Sequence, residues 1–349
     1  MQDEQIIVNA ARARVAATMP NAGLTGSLLD VLNKMPNQVQ VTLSSWYFPF
    51  HEGLLRENPI GSGTFGTVFV STQSDNVVLK VQLLQRHDRS AQMLFELMTM
   101  AYVHHPNIVQ FLGYSLAIFM VNSVPQLGLV TAMERLPTDL HTELNRQFEL
   151  KRRGAATWSM KQCFAVVRDV ARGIRALHSQ SPPIIHRDIK TENVLLTFSS
   201  AAKIADFGGV VPYTPGVPVQ SVSGTLPYLP VDMRRSQANA TPAMDMYGLG
   251  VVAIMVVSSV VGINVTPKLA VEKNVNAKAL DYPNVAETLQ YIAEMPGDGM
   301  VLSRMVRRCC SEDASLRPTI QEFLGLFRPS QPVVRNISAG ASGRKNKKK

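Results

Sequence analysis

The chain has 349 residues, of which 46% are hydrophobic and 17% are charged, so it can form one large or two modest domains with a substantial core. Its formal net charge is +9, but five of the cations lie in the last six residues, so the body is only mildly basic and lacks the charge of a dedicated nucleic-acid binder. The three cysteines, Cys163, Cys309 and Cys310, exclude a disulfide framework and a Cys-x-x-Cys metal site, and they favour a reducing compartment.

The two ends of the chain carry few signals. The first residues are acidic and lack a long apolar segment, so they do not resemble a secretory signal, and we expect a cytoplasmic or nuclear protein. Residues 1–53, with an Ala/Arg-rich helix near their start, are interpreted as an extension packed on the following domain rather than as a separate functional module. Residues 329–349 are small, polar and basic, and we expect a disordered tail that serves solubility, binds phosphate-rich surfaces or acts as a nuclear-import signal.

A glycine-rich segment opens the central part of the chain. In IGSGTFGTVFV, Gly61, Gly63 and Gly66 have the spacing that lets backbone amides approach phosphate oxygens. A dinucleotide-binding fold would need this turn to begin a helix. Because the turn runs into the β-branched residues TVFV, we predict a glycine flap between two strands. The Rossmann fold stays a remote alternative.

A strand lysine and a helix glutamate follow the glycines. Lys80 ends the strand-like run VVLKV, and Glu96 lies in RSAQMLFELMTMAYV, whose apolar residues recur at helical spacing. A lysine–glutamate pair of this kind fixes the ammonium group against the α and β phosphates of ATP. The alternative is that each residue is solvated, Lys80 at a strand end and Glu96 on a helix face.

The segment IIHRDIKTENVLL holds a group of polar residues between two apolar ends. Asp188 precedes Asn193 in it, and Asp206 follows in AKIADFGG. This combination suits a magnesium–nucleotide site, because Asp206 would bridge a metal ion to the phosphates and the carbonyl oxygen of Asn193 would take a second magnesium ion. Asp188 would accept the proton of the attacking hydroxyl.

Two apolar segments flank this loop. Residues 163–177 carry one apolar stripe at helical spacing and predict a helix that ends before Pro182-Pro183. Tyr247 to Val265 is a run of 19 residues without a charge, about the length that spans a bilayer. Taken alone, this run fits a membrane span and a buried helix equally well.

In this order, the glycine loop, the strand lysine, the helix glutamate, the HRD-type loop and the DFG segment resemble the eukaryotic protein kinase family. The resemblance covers residues 54–328 and includes HPNIVQFLGY, LVTAMERLPTDL and LHSQSPPIIHRDIK. It implies an α+β, bilobal protein kinase fold, with a small β-rich N-lobe that has one key helix (residues 54–136) and a larger, mainly helical C-lobe (residues 137–328). It also implies ATP and Mg²⁺ as cofactors and protein substrates as partners.

The resemblance assigns site residues by position. Met133 takes the gatekeeper position, and the backbone of Glu134 to Leu136 forms the hinge that would bind adenine. The other residues expected to contact the nucleotide are Ile60, Gly61, Gly63, Gly66, Val68, Val78, Lys80, Leu195 and Asp206. The residues expected to act in catalysis are Lys80, Glu96, Asp188, Lys190 and Asn193, and those expected to hold the metal are Asn193 and Asp206.

Further positions refine the resemblance. Lys190, which would steady the transferred phosphoryl group, and Thr225 match the serine/threonine-specific pattern. The sequence of residues 105–114 and 177–193 is most similar to that of the tyrosine-kinase-like group of serine/threonine kinases. The run that begins near Tyr247 matches the buried central helix of the family, so we expect no transmembrane segment. Asp245 of that helix would hold the catalytic-loop backbone from beneath.

The sequence also departs from the family pattern. The usual APE reads PVD here, so Asp232 would have to reach Arg317 in place of a longer glutamate. Val78 replaces the alanine of the usual VAIK and narrows the adenine roof. Cys310 stands where many relatives carry tryptophan. None of these changes removes a catalytic group.

Regulation is read from the loop after Asp206. Arg187 is the arginine that in the family pairs with a phosphorylated activation loop. We favour Ser221 or Ser223 as the phosphorylated residue, and activity without phosphorylation is the alternative.

Two rival functions differ in class from a protein kinase. The first is a pseudokinase, a scaffold that keeps the fold and binds nucleotide without turnover. The second is a small-molecule kinase similar to aminoglycoside phosphotransferases, which Lys190 and the segment GTLPY disfavour. The substrate, the pathway and the oligomeric state are left open by the sequence, and we do not expect nucleic acid as a partner.

Overall fold

The computed structural model describes residues 43, 45–63, 66–83, 90–219, 224–235, 239–296 and 299–327. The expectations for the helix near the N-terminus, for Ser221 and Ser223 and for the basic tail lie outside these residues, as does the side chain of Asp232. The described residues form a small lobe built on a sheet and a larger lobe built mainly of helices, with a cleft between them. This is the α+β, two-lobed architecture that the sequence predicts.

The small lobe contains an antiparallel sheet of five strands in the order β1-β2-β3-β5-β4. Its strands are β1 (Gly61–Gly63), β2 (Gly66–Val70), β3 (Val77–Leu83), β4 (Phe111–Val121) and β5 (Val124–Glu134). The turn between β4 and β5 has φ of 50° at Asn122 and 64° at Ser123. Positive φ at both central residues is what a two-residue type I′ hairpin requires, so this turn fixes the register of the longest hairpin.

The glycine segment is a hairpin, as predicted. Gly61 pairs with Val68 and Gly63 pairs with Gly66 across β1 and β2. The chain continues from β2 into a further strand rather than into a helix. The Rossmann alternative is therefore wrong, because its phosphate-binding turn opens a helix.

A single helix, α1 (Ser90–Tyr102), follows β3 and packs on the small lobe. Its apolar residues Met93, Leu94, Leu97 and Met100 are buried at helical spacing, which confirms the predicted helix. Glu96 is also buried, with 1% of its surface exposed. A buried carboxylate requires partners, and these lie on β3.

The large lobe contains the other described helices and five short strands in two small sheets. The helices are α2 (Leu140–Arg152), α3 (Met160–His178), α4 (Val231–Arg235), α5 (Pro242–Val261), α6 (Pro267–Lys273), α7 (Val285–Glu294), α8 (Gly299–Cys309) and α9 (Ile320–Gly325). The short strands are β6 (Thr138–Asp139), β7 (Ile184–Ile185), β8 (Val194–Leu196), β9 (Ala202–Ile204) and β10 (Val211–Pro212). One small sheet has the order β6-β8-β9, and β7 pairs with β10.

Helix α3 leads into the catalytic loop and begins with a capping box. The Ser159 hydroxyl accepts the amide of Gln162, and the Gln162 side chain accepts the amide of Ser159, which satisfies two donors at the helix start. The apolar stripe predicted for this helix is buried, including Val170, Ile174 and Leu177. The stripe holds α3 against α5 and β9, so the loop that follows begins from a fixed point.

Helix α5 is the apolar run whose environment the sequence alone left open. It is long and apolar enough to cross a membrane by length and composition, but 89% of its most apolar window is buried inside the protein. It packs against α2, α3, α7 and α8. A helix surrounded by other helices is apolar on all sides, and α5 is therefore the core helix of the large lobe.

The described part of the N-terminal extension packs on the small lobe. The Phe48 amide donates to the Tyr114 carbonyl at 3.0 Å, and the Tyr114 amide donates to the Trp46 carbonyl at 2.9 Å. The Trp46 ring lies 5.3 Å from that of Phe111, and Leu43 is buried. These contacts add the extension to the β4 edge, as expected of a packed segment.

Candidate active site

A cleft of about 760 Å³ lies between the two lobes. It is lined by every residue predicted to contact the nucleotide: Ile60, Gly61, Gly63, Gly66, Val68, Val78, Lys80, Met133, Glu134, Leu136, Leu195 and Asp206. Of the residues predicted to act in catalysis, Glu96, Lys190 and Asn193 also line it, whereas Asp188 lies just beneath the surface with 5% of its area exposed. Sequence reasoning missed other lining residues, among them Met100, Val109, Thr138 and Phe207.

Lys80 joins the two halves of the cleft. Its Nζ lies 2.8 Å from Glu96 Oε1 and 2.9 Å from Asp206 Oδ1. Burial lowers the pKa of Lys80, but the two carboxylates outweigh burial and raise the pKa above its usual value. Burial likewise raises the pKa of Asp206, and Lys80 outweighs that effect and lowers it. The solvated alternative for Lys80 and Glu96 is therefore wrong.

Gln82 is a second partner of Glu96 that sequence reasoning missed. Its Nε2 donates to Glu96 Oε2 at 2.9 Å, so each carboxylate oxygen of Glu96 has its own donor. Gln82 lies two residues after Lys80 on β3, and residues two apart on a strand share a face. That periodicity was the signal by which the sequence could have identified it.

The backbone of the catalytic loop is fixed from below by Asp245. One carboxylate oxygen of Asp245 accepts the Arg187 amide at 2.8 Å, and the other accepts the His186 amide at 2.9 Å and lies 2.8 Å from Nε2 of His178. Burial raises the pKa of Asp245, but the hydrogen bond with His178 and the electrostatic interactions with His178 and His186 outweigh burial and lower it. The position expected for Asp245 under the catalytic loop is confirmed by these contacts.

Asp188, Lys190, Asn193 and Thr225 form one hydrogen-bonded cluster. Asp188 Oδ2 accepts Asn193 Nδ2 at 2.9 Å and lies 2.8 Å from Lys190 Nζ. The Thr225 hydroxyl donates to Asp188 Oδ1 at 2.8 Å and accepts Lys190 Nζ at 2.8 Å. The cluster therefore places a carboxylate, an ammonium group and a hydroxyl in mutual contact at the edge of the cleft.

The oxygen donors of Asn193 and Asp206 fit a divalent metal ion. Asn193 Nδ2 donates to the carbonyl and the carboxylate of Asp188, so its amide orientation is set and Oδ1 is the atom left to bind a cation. In the described part of the chain no three His, Cys, Asp or Glu side chains cluster as a metal site. Two protein oxygens suit Mg²⁺, which takes its other ligands from phosphates and water.

The hinge between the lobes is held by the side chain of Glu134. Glu134 Oε1 accepts the Gln110 amide at 2.7 Å and lies 2.5 Å from Lys203 Nζ on β9. In the described part of the chain, the Leu136 amide has no hydrogen-bond partner. The hinge can therefore offer the Leu136 amide to a base while the Glu134 side chain contacts Lys203 of β9 and the residue that precedes β4.

The segment after Asp206 is tied to the catalytic loop. Asp206 has a φ of 59°, in the left-handed region, and turns the chain so that Phe207 packs edge-on against His186 at 5.5 Å. Arg187 Nε donates to the Gly209 carbonyl. Burial lowers the pKa of Arg187 to about 10, although Asp245 opposes that shift. The guanidinium therefore stays charged at neutral pH and anchors the start of this segment.

Arg317, expected to pair with Asp232, is held by backbone carbonyls in the described residues. It donates to the carbonyls of Ser311 and Ala243 at 2.8 and 3.3 Å. Its guanidinium lies 5.2 Å from the centroid of the Tyr247 ring. The pairing with Asp232 stays a prediction, because that side chain lies outside the described part.

The fold and this cleft define a two-lobed nucleotide-binding protein. The sequence model of the family described as the protein kinase domain matches residues 54–326, which is more than half of the chain. The chain therefore belongs to the protein kinase domain family.

Curated relatives include several receptor-like kinases. LysM domain receptor-like kinase 10 of Oryza sativa subsp. japonica is 28% identical over 333 residues, covering 89% of this chain and 52% of that protein. Calcium/calmodulin-regulated receptor-like kinase 1 of Arabidopsis thaliana is 30% identical over 197 residues, covering 55% and 41%. Seven transmembrane domain-containing tyrosine-protein kinase 1 of Dictyostelium discoideum is 27% identical over 305 residues, covering 83% and 40%. The chain spans about half of the length of these relatives, or less.

Proposed function

We propose that this chain is a magnesium-dependent serine/threonine protein kinase, which transfers the γ-phosphoryl group of ATP to hydroxyl groups of proteins. The observation that carries the proposal is the closed contact among Asp188, Lys190 and Thr225. It supports a general base next to a cation at the edge of a nucleotide-sized cleft. Phosphoryl transfer to a hydroxyl needs both groups at one point.

Nucleotide binding is assigned to residues of the small lobe, to the hinge and to Leu195 of the large lobe. The backbone of Glu134 and Leu136 would hydrogen-bond adenine, and Val68 and Leu195 would pack on its two faces. Lys80, held by Glu96, would contact the α and β phosphates. Magnesium, when bound, neutralises charge on the β and γ phosphates, and Asp206 and Asn193 are the residues that would hold it.

The chemical step is assigned to the catalytic loop, residues 186–193, which forms the floor of the cleft. The substrate hydroxyl oxygen forms a bond to the γ phosphorus, its proton passes to the Asp188 carboxylate, and the bond from phosphorus to the β,γ-bridging oxygen breaks to release ADP. Lys190 stabilises the charge on the transferred group. The Thr225 hydroxyl keeps the Asp188 carboxylate turned toward the incoming hydroxyl. Positioning and charge neutralisation supply most of the rate enhancement.

The domain boundaries and the cellular location are part of the same proposal. We assign the kinase domain to residues 54–328, with an extension before it and a basic tail after it, and we place the protein in the cytoplasm or nucleus. The three cysteines are free and buried, which is compatible with a reducing compartment. The protein substrate would be recognised on the surface around Thr225 and the segment that follows it.

The proposal is tested by phosphate incorporation from radiolabelled ATP, with magnesium, into the protein itself and into a mixed protein substrate. Wild type is compared with Asp188→Asn and Lys80→Met, and the products are separated as phosphoserine, phosphothreonine and phosphotyrosine. We expect phosphoserine and phosphothreonine that disappear in both variants. Phosphotyrosine alone would contradict the specificity. ATP binding without incorporation above the variants would instead identify a pseudokinase scaffold.

A further inference from the structure

One glutamine side chain connects the helix of the small lobe to the segment that follows Asp206. Gln92 lies in the first turns of α1, and its Nε2 donates to the Val210 carbonyl at 2.7 Å and to the Gly208 carbonyl at 3.3 Å. Gly208 and Val210 are buried, whereas Gln92 is half-buried. Buried carbonyls need donors, so these contacts are more than a surface association.

The carbonyls of this segment are held alternately from the two lobes. Gly208 and Val210 accept from Gln92 of α1, and Gly209 between them accepts from Arg187 of the catalytic loop. Val211 then pairs with Ile185 of β7. The segment is thus joined on one side to the helix that carries Glu96 and on the other to the loop that carries Asp188.

Gln92 and Glu96 are four residues apart on α1, so they project from the same face of the helix. Glu96 contacts Lys80, and Lys80 contacts Asp206, at 2.8 and 2.9 Å. Asp206 precedes the carbonyls that Gln92 binds. These contacts close a ring from Gln92 through Glu96, Lys80 and Asp206 back to Gly208, and a shift of α1 would open it at two points at once.

We propose that Gln92 is a positioning residue that couples the place of α1 to the backbone after Asp206. Its side-chain amide therefore fixes the position of the Lys80–Glu96 pair relative to the Asp206 carboxylate. Gln92 does not line the cleft and touches no residue assigned to the substrate. The inference rests on the proposed kinase activity and adds a residue that the activity requires without taking part in the chemistry.

The first test compares kcat and the KM for ATP among three variants at pH 8. Gln92→Met removes the donor at similar length, and we expect kcat/KM to fall about fivefold, the cost of a lost hydrogen bond. Gln92→His keeps a neutral N–H donor at that pH, because the ordinary pKa of histidine is about 6.5, and we expect it to recover most of the loss. Tyr102→Leu changes an exposed residue of the same helix and is expected to match wild type.

The second test is a double-mutant cycle with Glu96→Gln, since residues that act through one another are not additive. If Gln92 acts through Glu96, Gln92→Met costs less than twofold in the Glu96→Gln background. Additive losses, no loss in Gln92→Met alone, or no recovery in Gln92→His would each overturn the proposal.

If the protein binds ATP without turnover, the proposed function is refuted, but the coupling by Gln92 can still be tested. Hydrogen exchange is then measured at the amides of residues 207–211 in wild type, Gln92→Met and Tyr102→Leu. We expect Gln92→Met alone to speed that exchange, because the segment loses its contact with α1. Equal exchange in all three proteins would refute the coupling.

Discussion

The floor and the roof of the cleft are built in different ways. The floor, residues 186–193, is held by buried groups: Asp245 binds two of its backbone amides, and Asp188 is bound by Asn193 and Thr225. The roof, β1 and β2, is a hairpin at the edge of the sheet, and all of β1 is exposed. The residues proposed to move a proton thus lie on a backbone held by buried hydrogen bonds, whereas those proposed to cover a nucleotide lie on an exposed hairpin.

The difference matches what each region has to do. A general base must lie within hydrogen-bond reach of the proton it accepts, and a small misplacement costs a large factor in rate. A cover over a nucleotide must open for exchange, which favours few buried contacts. The substitutions below test this contrast, from the largest expected effect to the smallest.

Asp245→Asn should have the largest effect because it removes the buried carboxylate that binds the backbone amides of the floor. An amide offers one acceptor oxygen in place of two, so it cannot accept from both His186 and Arg187 and still pair with His178. We expect a loss of about 3 kcal/mol in the free energy of unfolding and more than about 100-fold in kcat. Asp281→Asn, at an exposed carboxylate, should change neither in chemical denaturation and kinase assays.

Glu96→Gln should lower activity strongly and stability less. Lys80 keeps Asp206 as a partner, but the ammonium group is free to shift away from the phosphates. We expect kcat/KM for ATP to fall about 10- to 100-fold, as a misplaced group would cause. Glu272→Gln on α6 is the matched control. A Glu96→Gln protein with wild-type kcat/KM would mean that the pair is structural only.

Thr225→Val should act on the floor without disturbing the roof. It removes the hydroxyl that binds both Asp188 and Lys190 and keeps the shape of the side chain. We expect kcat to fall about tenfold, the cost of a hydrogen bond to a charged group, with little change in the KM for ATP. Thr225→Ser keeps the hydroxyl and should retain most of kcat. Equal kcat in Thr225→Val and wild type would argue against the orienting role.

Within the roof, Gly66 and Gly63 should respond differently to alanine. Gly66 has a φ of +120°, and a Cβ there would lie 2.5 Å from the Val81 carbonyl oxygen, whereas no atom of the described residues beyond its chain neighbours lies within 4 Å of a Cβ at Gly63. Gly66→Ala should therefore lower the melting temperature by several degrees, and Gly63→Ala should leave it unchanged. Thermal unfolding of both proteins measures this, and equal melting temperatures would contradict the geometry.

The ionisation of Lys80 predicts a flat pH dependence. Its pKa is raised, so the stability gained from its ion pairs is fully present below the ordinary value near 10.5 and is lost only as the pH rises through the higher folded value. The difference in the free energy of unfolding between wild type and Lys80→Met should stay constant from pH 6 to 9. A difference that shrinks toward pH 9 would show that burial, which lowers the pKa, outweighs the carboxylates.

Much of the site could be predicted because its residues lie in short segments with recognisable spacing. The segments around Gly61, Lys80, Asp188 and Asp206 each carry their own local signal, and the fold brings them to one cleft. The helix α5 could not be assigned from its own composition, because a buried helix and a membrane span look alike. Its assignment required the neighbouring helices.

Contacts between distant segments could not be read from the sequence. Thr225 and Asp188 are 37 residues apart and Gln92 and Val210 are 118 apart, and no periodicity connects them. Gln82 is different, because the two-residue repeat of a strand already places it beside Lys80.

Native-state hydrogen exchange in the absence of nucleotide tests the contrast between floor and roof most directly. The amides of His186 and Arg187 donate to the buried Asp245 and should exchange only at the rate set by global unfolding. The amides of residues 61–63 should exchange by local opening, orders of magnitude faster, and should slow when ATP and magnesium are added. Equally fast exchange in both regions would contradict a preassembled floor.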